Sequence, residues 1–551
     1  MLLDQIGSRV RAQASDTVWA IGVLQRAGVI RRMRPGKVLR LAELYARLGT
    51  SPALGSAATA LTRPDELALV DEIGTLTFTE THQRSNALAR ALAEHGVGPG
   101  DGVAIMCRNH RYFIEATMAC AKLGAVGLYL NTAFAARQLA EVLEREGAGV
   151  LIYDEEFGEL LSEGGEDMKR IVAFAEGTPA DRTAEELIAS HDGAPDLPAP
   201  EEGARYVILT SGTTGTPKGA QRGAPEGLGP LASFLSKIPR RSGETVVIAA
   251  PLFHSWGFSH FVLGLSLGAT MVLQRRFDPE DTLRAIARHR ARTLVVVPVM
   301  MQRILELPDE AKRRYDTSSL EVTAASGSAL PGELSTRWMD EFGDNLYNLY
   351  GSTEVAWATI ATPEDMRAAP GTAGRAPRGT VIRIVDEEGR DVARGETGRI
   401  FVANGMAFEG YTGGEDKERL DGMVSSGDVG HFDEGGRMFI DGRDDEMIVS
   451  GGENVFPREV EDVLAEHGAV SEAAALGVPD EEFGQRLRAF VVLSADAEVT
   501  EDELKAHVKS NLARYKVPRE ISFLDELPRN ATGKVLKRDL AEPEAAGESA
   551  D

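Results

Sequence analysis

Residues 206–219, YVILTSGTTGTPKG, join an apolar run to a loop of hydroxyls and glycines that closes on Pro217, Lys218 and Gly219. Glycines let backbone N–H groups turn towards one anion, hydroxyls add donors, and the lysine adds positive charge. In physical terms this is a phosphate cradle at the end of a strand. It is not a P-loop, because Lys218 follows a proline and neither Ser nor Thr comes after it. Three further positions have chemical potential: His254 in APLFHSWG, Asp428 in SGDVG, and Lys534 in a run shared with Lys537 and Arg538. Taken alone, each has an ordinary reading as a core imidazole, a turn former or a solvated charge.

The elements that must position these groups follow from periodicity. ALVDE and LTFTE flank Gly74 as a hairpin, and a helix follows through Ala87, Leu88, Ala91 and Leu92 to the glycines at 96, 98 and 100. VAIMC (103–107), 125–130 and VLIYD (150–154) read as strands between helices 112–123 and 135–146. The alternation returns with VVIAA (246–250), helix 257–267, strand 269–274, helix 279–290, strand TLVVVP (293–298) and helix 299–306. Short apolar strands alternating with helices predict an α/β fold with a largely parallel sheet. Residues 155–203 read as a loop-rich surface excursion, and the chain beyond 371 as β-rich. After Asp445 a smaller α+β unit is expected, with Val460, Val463 and Leu464 on one helical face. There Thr500 and Glu503 form a capping box ahead of Leu504, Val508 and Leu512.

The chain has 551 residues, a formal charge of −25 and a charged fraction of 26%. That is the composition of a globular protein with ample core, and the acidic excess argues against a nucleic-acid binder. Cys107 and Cys120 form no C-x-x-C pair, so neither a zinc site nor a disulfide scaffold is expected. The start reads as no signal peptide, and the cytoplasm is the default address. Residues 1–50 differ from the rest, with nine basic residues against three acidic ones. Two readings stand: a basic amphipathic anchor touching a membrane surface from the cytoplasmic side, or a helical hairpin docked on the body.

YVILTSGTTGTPKG closely resembles the signature loop of the adenylate-forming superfamily, which holds acyl-CoA synthetases, luciferases and peptide-synthetase adenylation domains. APLFHSWG, SGSAL (326–330), NLYGSTE (348–354), SGDVG (426–430), IDGRDDEMIVSGGENVFPREVE (440–461) and PRNATGKVLKRDL (528–540) resemble its other motifs in the expected order. The resemblance covers roughly residues 60–540 and points to the bacterial fatty-acyl-CoA synthetase branch. It implies a large N-terminal domain (61–443) of two α/β subdomains and a β-rich subdomain, with a small mobile α+β C-terminal lid (444–540). An N-terminal extension (1–60) and a disordered acidic tail (541–551) complete the division.

The resemblance also implies roles. Thr210, Ser211, Gly212, Thr213, Thr214, Gly215 and Lys218 would hold the β- and γ-phosphates of ATP. Glu354, with Thr210, would take Mg²⁺, beside Ser352 and Thr353. Asn348, Tyr350 and Gly351 would line the adenine opposite Gly327, Ser328 and Ala329, where relatives carry Gly-Ala-Pro. Asp428 would grip the ribose, with Ile440 and Arg443 nearby, and Lys534 would bridge the substrate carboxylate and the α-phosphate. Asp445 is the expected hinge, and Gly451 and Gly452 the turn towards the pantetheine arm of coenzyme A.

His254 and Ser255 would flank the acid, with Trp256, Phe258, Val299, Met300 and Met301 as candidates for an apolar acyl tunnel or as plain core. Phe253–Gly257 holds no carboxylate to pair with an amino acid's ammonium. A medium- or long-chain fatty acid–CoA ligase is therefore expected. An aryl-CoA ligase, an acyl-AMP ligase loading an acyl carrier protein, and a non-catalytic acyl-AMP-binding paralogue are the alternatives.

Overall fold

A computed structural model describes residues 16–551 except 164–167, 180, 194, 211–217, 223–226, 329, 331, 387, 407, 413, 415, 444–447, 451–452, 456, 481, 495–496, 529–536, 538–539 and 541–551. Two large sheets dominate the described residues. In one, Arg205–Thr210, Val126–Tyr129, Gly102–Met106, Ala148–Tyr153 and Lys169–Val172 run parallel, and antiparallel Lys218–Arg222 and Phe408–Tyr411 close one edge. In the other, Val322–Ala325, Thr293–Val296, Thr245–Ile248, Thr270–Leu273 and Leu67–Asp71 form a parallel block with Leu346–Tyr350. The antiparallel Gly74–Thr77 and Thr359–Ala361 lie at its two edges.

The helices Phe78–Glu94, Arg111–Leu123 and Ser255–Leu267 share one core with residues of both sheets. The 13 residues of Arg111–Leu123 are all buried, polar ones included. Arg111 and Glu115 are paired with opposite charges, while Lys122 has only neutral acceptors among the described residues and burial draws its pKa down to about 7. Arg111 Nε donates to Asp71 at 3.0 Å, Arg84 Nε to Glu115 at 2.6 Å, and Lys122 Nζ to Ser85 Oγ and Asn86 Oδ1, both at 2.6 Å. Cys107 and Cys120 are buried free thiols.

A smaller antiparallel sheet, Val381–Val385, Gly398–Ala403, Met423–Phe432 and Met438–Arg443, forms the β-rich region. The C-terminal unit packs Pro457–Ala465 and Glu501–Asn511 on a sheet centred on Val470–Asp480 and Gly484–Leu493. Thr500 and Glu503 make the expected capping box, and Val460, Leu464, Leu504, Val508 and Leu512 are buried.

Two expectations need correcting. Residues 155–203 are more than loop: they supply the sheet strand Lys169–Val172 and the helix Ala184–Ser190, which opens on a Thr183–Glu186 capping box. The excess of Gly, Pro and acid masked a strand of four residues, too short for its alternation to register. The boundary placed at residue 60 is the second: among the described residues, helices 16–26 and Pro35–Leu48 lie within 1–50, and a further helix, Pro52–Thr62, crosses it.

Candidate active site

The site candidates sit where parallel strands end, the place at which open α/β sheets receive ligands. Strand Arg205–Thr210 delivers Thr210, and the return strand pairs Lys218 opposite it, so the residues on either side of 211–217 are neighbours. Ser211, Gly212, Thr213, Thr214 and Gly215 lie outside the described residues, as do Ala329, Asp445, Gly451, Gly452 and Lys534.

Strand Leu346–Tyr350 carries Asn348 and Tyr350 into the turn of Gly351, Ser352, Thr353 and Glu354. The turn is tight. A Cβ on Gly351 would meet the Ala356 carbonyl oxygen at 2.2 Å, and Ala356 itself holds φ at +59°, a strained value for a residue with a side chain. Ser352 Oγ accepts from the Glu354 and Val355 N–H groups at 3.3 and 3.4 Å, which pins the carboxylate. Glu354 is almost buried and accepts from the Tyr411 hydroxyl at 2.7 Å. Burial opposes its charge, but the Lys417 cation and the Tyr411 hydroxyl hold its carboxyl below the ordinary range.

The Tyr350 hydroxyl donates to Asp428 Oδ2 at 2.5 Å, joining the strand end to the β-rich sheet. Asp428 is buried, its backbone N–H donates to Ser426 Oγ at 3.1 Å, and it pairs in register with Arg443. Asn348 is buried with its Oδ1 unpartnered among the described residues, an acceptor suited to an exocyclic amine such as adenine's. Exposed Gly327 turns at φ +100° above the Val297 side chain, with Ser328 half-buried beside it, and Ile440 is half-buried. Ionised Glu354 is a hard oxygen donor that fits Mg²⁺.

His254 caps the start of helix Ser255–Leu267, and its Nε2 pairs with Glu453 Oε1 at 2.8 Å. Despite burial, the Glu453 carboxylate holds the imidazole above its usual value. Asn131 Nδ2 donates to the other Glu453 oxygen at 3.2 Å, and Arg303 pairs with Glu482 at 2.9 Å. The C-terminal unit thus reaches the mouth of the site with the residue after Gly451 and Gly452.

Trp256 and Phe258 are buried, with Trp256 Nε1 on the Val296 carbonyl at 3.1 Å, while Ser255, Val299 and Met300 are half-buried. Met301 packs fully into the core around Ile304 and leaves the list of tunnel candidates. Reading the sequence missed Tyr411, Lys417, Asn131 and Glu453. Only Glu453 had a visible signal, as the carboxylate ending a Gly-Gly-Glu turn.

The family model for the AMP-binding enzyme matches residues 57–412, and that for the AMP-binding enzyme C-terminal domain matches residues 459–534. The chain belongs to the AMP-binding enzyme family. A feruloyl-CoA synthase of Amycolatopsis sp. is 34% identical over 84% of this chain and 93% of its own length. A fatty acid–[acyl-carrier-protein] ligase of Streptomyces coeruleorubidus is 31% identical over 87% and 93%. Among solved structures, o-succinylbenzoate CoA synthetase of Bacillus subtilis, as a double mutant bound to a product analogue, is similar at TM-score 0.77, with 29% identity over 88% of this chain and 98% of that one. The same enzyme holding its acyl-adenylate scores 0.62 at 29% identity over 89% and 98%.

Proposed function

We propose that this member of the AMP-binding family is an AMP-forming acid–CoA ligase acting on an apolar carboxylic acid of medium or long chain. The substrate carboxylate attacks the α-phosphorus of ATP and pyrophosphate leaves. The sulfur of coenzyme A then adds to the acyl carbonyl and AMP leaves. The observation that carries the reading is the Tyr350–Asp428 hydrogen bond beside Glu354, which gathers a ribose acceptor, a ring face and a cation ligand at one strand end.

Each residue has a distinct task. Asp428 accepts from ribose hydroxyls while Tyr350 fixes its carboxylate. Asn348 Oδ1 receives the adenine amine. Glu354 would hold Mg²⁺, whose charge when bound neutralises phosphate oxygens that would otherwise repel the incoming carboxylate. Lys534 supplies a cation at the attacking oxygen. His254 borders the acid at a helix N-terminus, where a carboxylate is favoured. Buried Trp256 and Phe258 on the following turn suit an aliphatic chain, and the similarity to a fatty acid ligase agrees. A separate acyl carrier protein remains an acceptor to compare with coenzyme A.

One observation favours a second reading, a ring-bearing acid with a hydrogen-bond acceptor. His260 is buried beside Trp256, and its Nδ1 faces Arg240 Nη1 at 2.6 Å. An arginine only donates, so His260 Nδ1 accepts and Nε2 carries the hydrogen. That Nε2 has no partner among the described residues. An unpaired buried donor costs about 1–3 kcal/mol, which an oxygen on the acid would offset.

The test is pyrophosphate release and CoA-thioester formation across acids from acetate to oleate, with cinnamate, ferulate and amino acids. Oleate or decanoate ahead of ferulate supports the first reading, and ferulate well ahead of cinnamate the second. Lys534→Ala should abolish pyrophosphate release yet spare thioester formation from supplied acyl-AMP. No exchange of labelled diphosphate into ATP with any acid would overturn both readings.

A further inference from the structure

The extension is docked at both ends and free in the middle. Helix 16–26 puts Ala20, Val23, Leu24 and Ala27 into the main core, and Arg378 stacks over the Trp19 ring at 4.7 Å. Helix Pro52–Thr62 lies so close to helix Ser255–Leu267 that a Cβ on Gly55 would meet Leu265 Cβ at 2.9 Å. Between them, helix Pro35–Leu48 buries none of its residues.

Leu41, Leu44 and Leu48 are half-buried towards the body. On the other side Pro35, Val38, Leu39, Ala42, Tyr45 and Ala46 are all exposed. At 100° per residue these six fall within an arc of about 120°, a continuous apolar stripe with no charge inside it. Leu39 is 72% exposed and Tyr45 56%. Single exposed apolar side chains are ordinary, but these are concentrated. Of the 11 large hydrophobic side chains exposed among the described residues, six lie between Val18 and Tyr45.

Charge selects what covers the stripe. Arg34 borders it on one side; on the other Glu43 comes first, with Arg47 and Arg40 beyond it, and Arg31 and Arg32 precede the helix. From residue 16 to 48 the chain has seven basic and two acidic residues, within a protein of net charge −25. An anionic surface would repel most of this molecule and attract this face, so the field itself sets the orientation. A narrow apolar stripe on a helix that spans nothing, in a segment where basic residues outnumber acidic ones seven to two, is the form that lies in a lipid interface.

We propose that helix Pro35–Leu48 docks in the plane of an anionic lipid bilayer. Val38, Leu39 and Tyr45 enter the boundary between headgroups and acyl chains, while the flanking arginines meet lipid phosphates. The docked helix Pro52–Thr62 then holds helix Ser255–Leu267 one layer from the bilayer. The proposal stands independently of which acid is activated.

The test is flotation of the full chain with vesicles of mixed phosphatidylglycerol and phosphatidylcholine, against phosphatidylcholine alone. Binding is expected to the anionic vesicles and to weaken as salt is raised. Leu39→Glu combined with Tyr45→Glu should cut the bound fraction about tenfold, since charge replaces the inserted side chains. Both residues are exposed, so the variant should melt like the parent and release pyrophosphate as before. Absence of binding to anionic vesicles, or equal binding by the variant, overturns the proposal. So does self-association, seen by sedimentation velocity and broken by the variant, in a chain that ignores vesicles: the stripe then faces a second copy.

Discussion

Glu354 sits almost out of solvent, and burial alone would drive its carboxyl towards the neutral form that binds cations poorly. Lys417 and the Tyr411 hydroxyl reverse that drift and hold the carboxyl below its ordinary range. The sign follows directly. Whatever depends on an ionised Glu354 is intact above the ordinary carboxylate range and fades as pH falls through the depressed value. Tyr411→Phe removes one of the lowering influences, so the acid limb of pyrophosphate release should move to higher pH. An acid limb that stays in place would show that Tyr411 does not tune this carboxylate. Glu354→Gln keeps the volume but not the charge, and should lower pyrophosphate release by about 10²–10³-fold, as loss of one preorganised electrostatic group does. A loss smaller than tenfold at saturating Mg²⁺ would place the cation ligand elsewhere.

At the scale of elements, the His254–Glu453 pair joins the first turn of helix Ser255–Leu267 to the strand Glu453–Val455 of the C-terminal unit. Because Glu453 raises the pKa of His254, docking and protonation favour each other. The contribution of the pair is complete below the free imidazole value of about 6.5 and is lost as pH rises through the raised value. Fluorescence transfer between dyes on the two units should therefore report less docking as pH is raised across that window. Glu453→Gln should flatten the dependence, and an unchanged profile in that variant would remove the pair from control of the arrangement. This contact also marks where the sequence stopped being legible. The helix was readable from its apolar period, and His254 from its motif. Their partner lies 199 residues away, and no local pattern encodes which carboxylate a mobile unit brings across. Tyr411 was harder still, since the strand that carries it is only four residues long.

For the whole molecule, the strand–helix alternation sufficed to foresee two α/β regions, a β-rich region and a small C-terminal unit, because each is written in local periodicity. What escaped was contact between distant segments, such as the pair of Glu453 with His254, whereas the packing of residues 20–27 into the core shared by both sheets agrees with the docked reading of the extension. The same division explains why one chain can serve two reactions. The described arrangement brings Glu453 to His254. On the proposed reading, attack on ATP calls for Lys534 at the same mouth, and we propose that the C-terminal unit turns between steps about Asp445. Proline at the hinge tests this, because its ring fixes φ near −65° and removes one of the two soft dihedrals there. Asp445→Pro should leave acyl-AMP formation within about twofold of the parent. Thioester formation from supplied acyl-AMP and coenzyme A should fall by at least about 100-fold, as expected when a conformational step assembles the site. Stopped-flow measurement of each half-reaction separates the two. If both run at parental rates the pivot lies elsewhere, and if both fail together the substitution has damaged the fold, which a parallel melting curve would reveal.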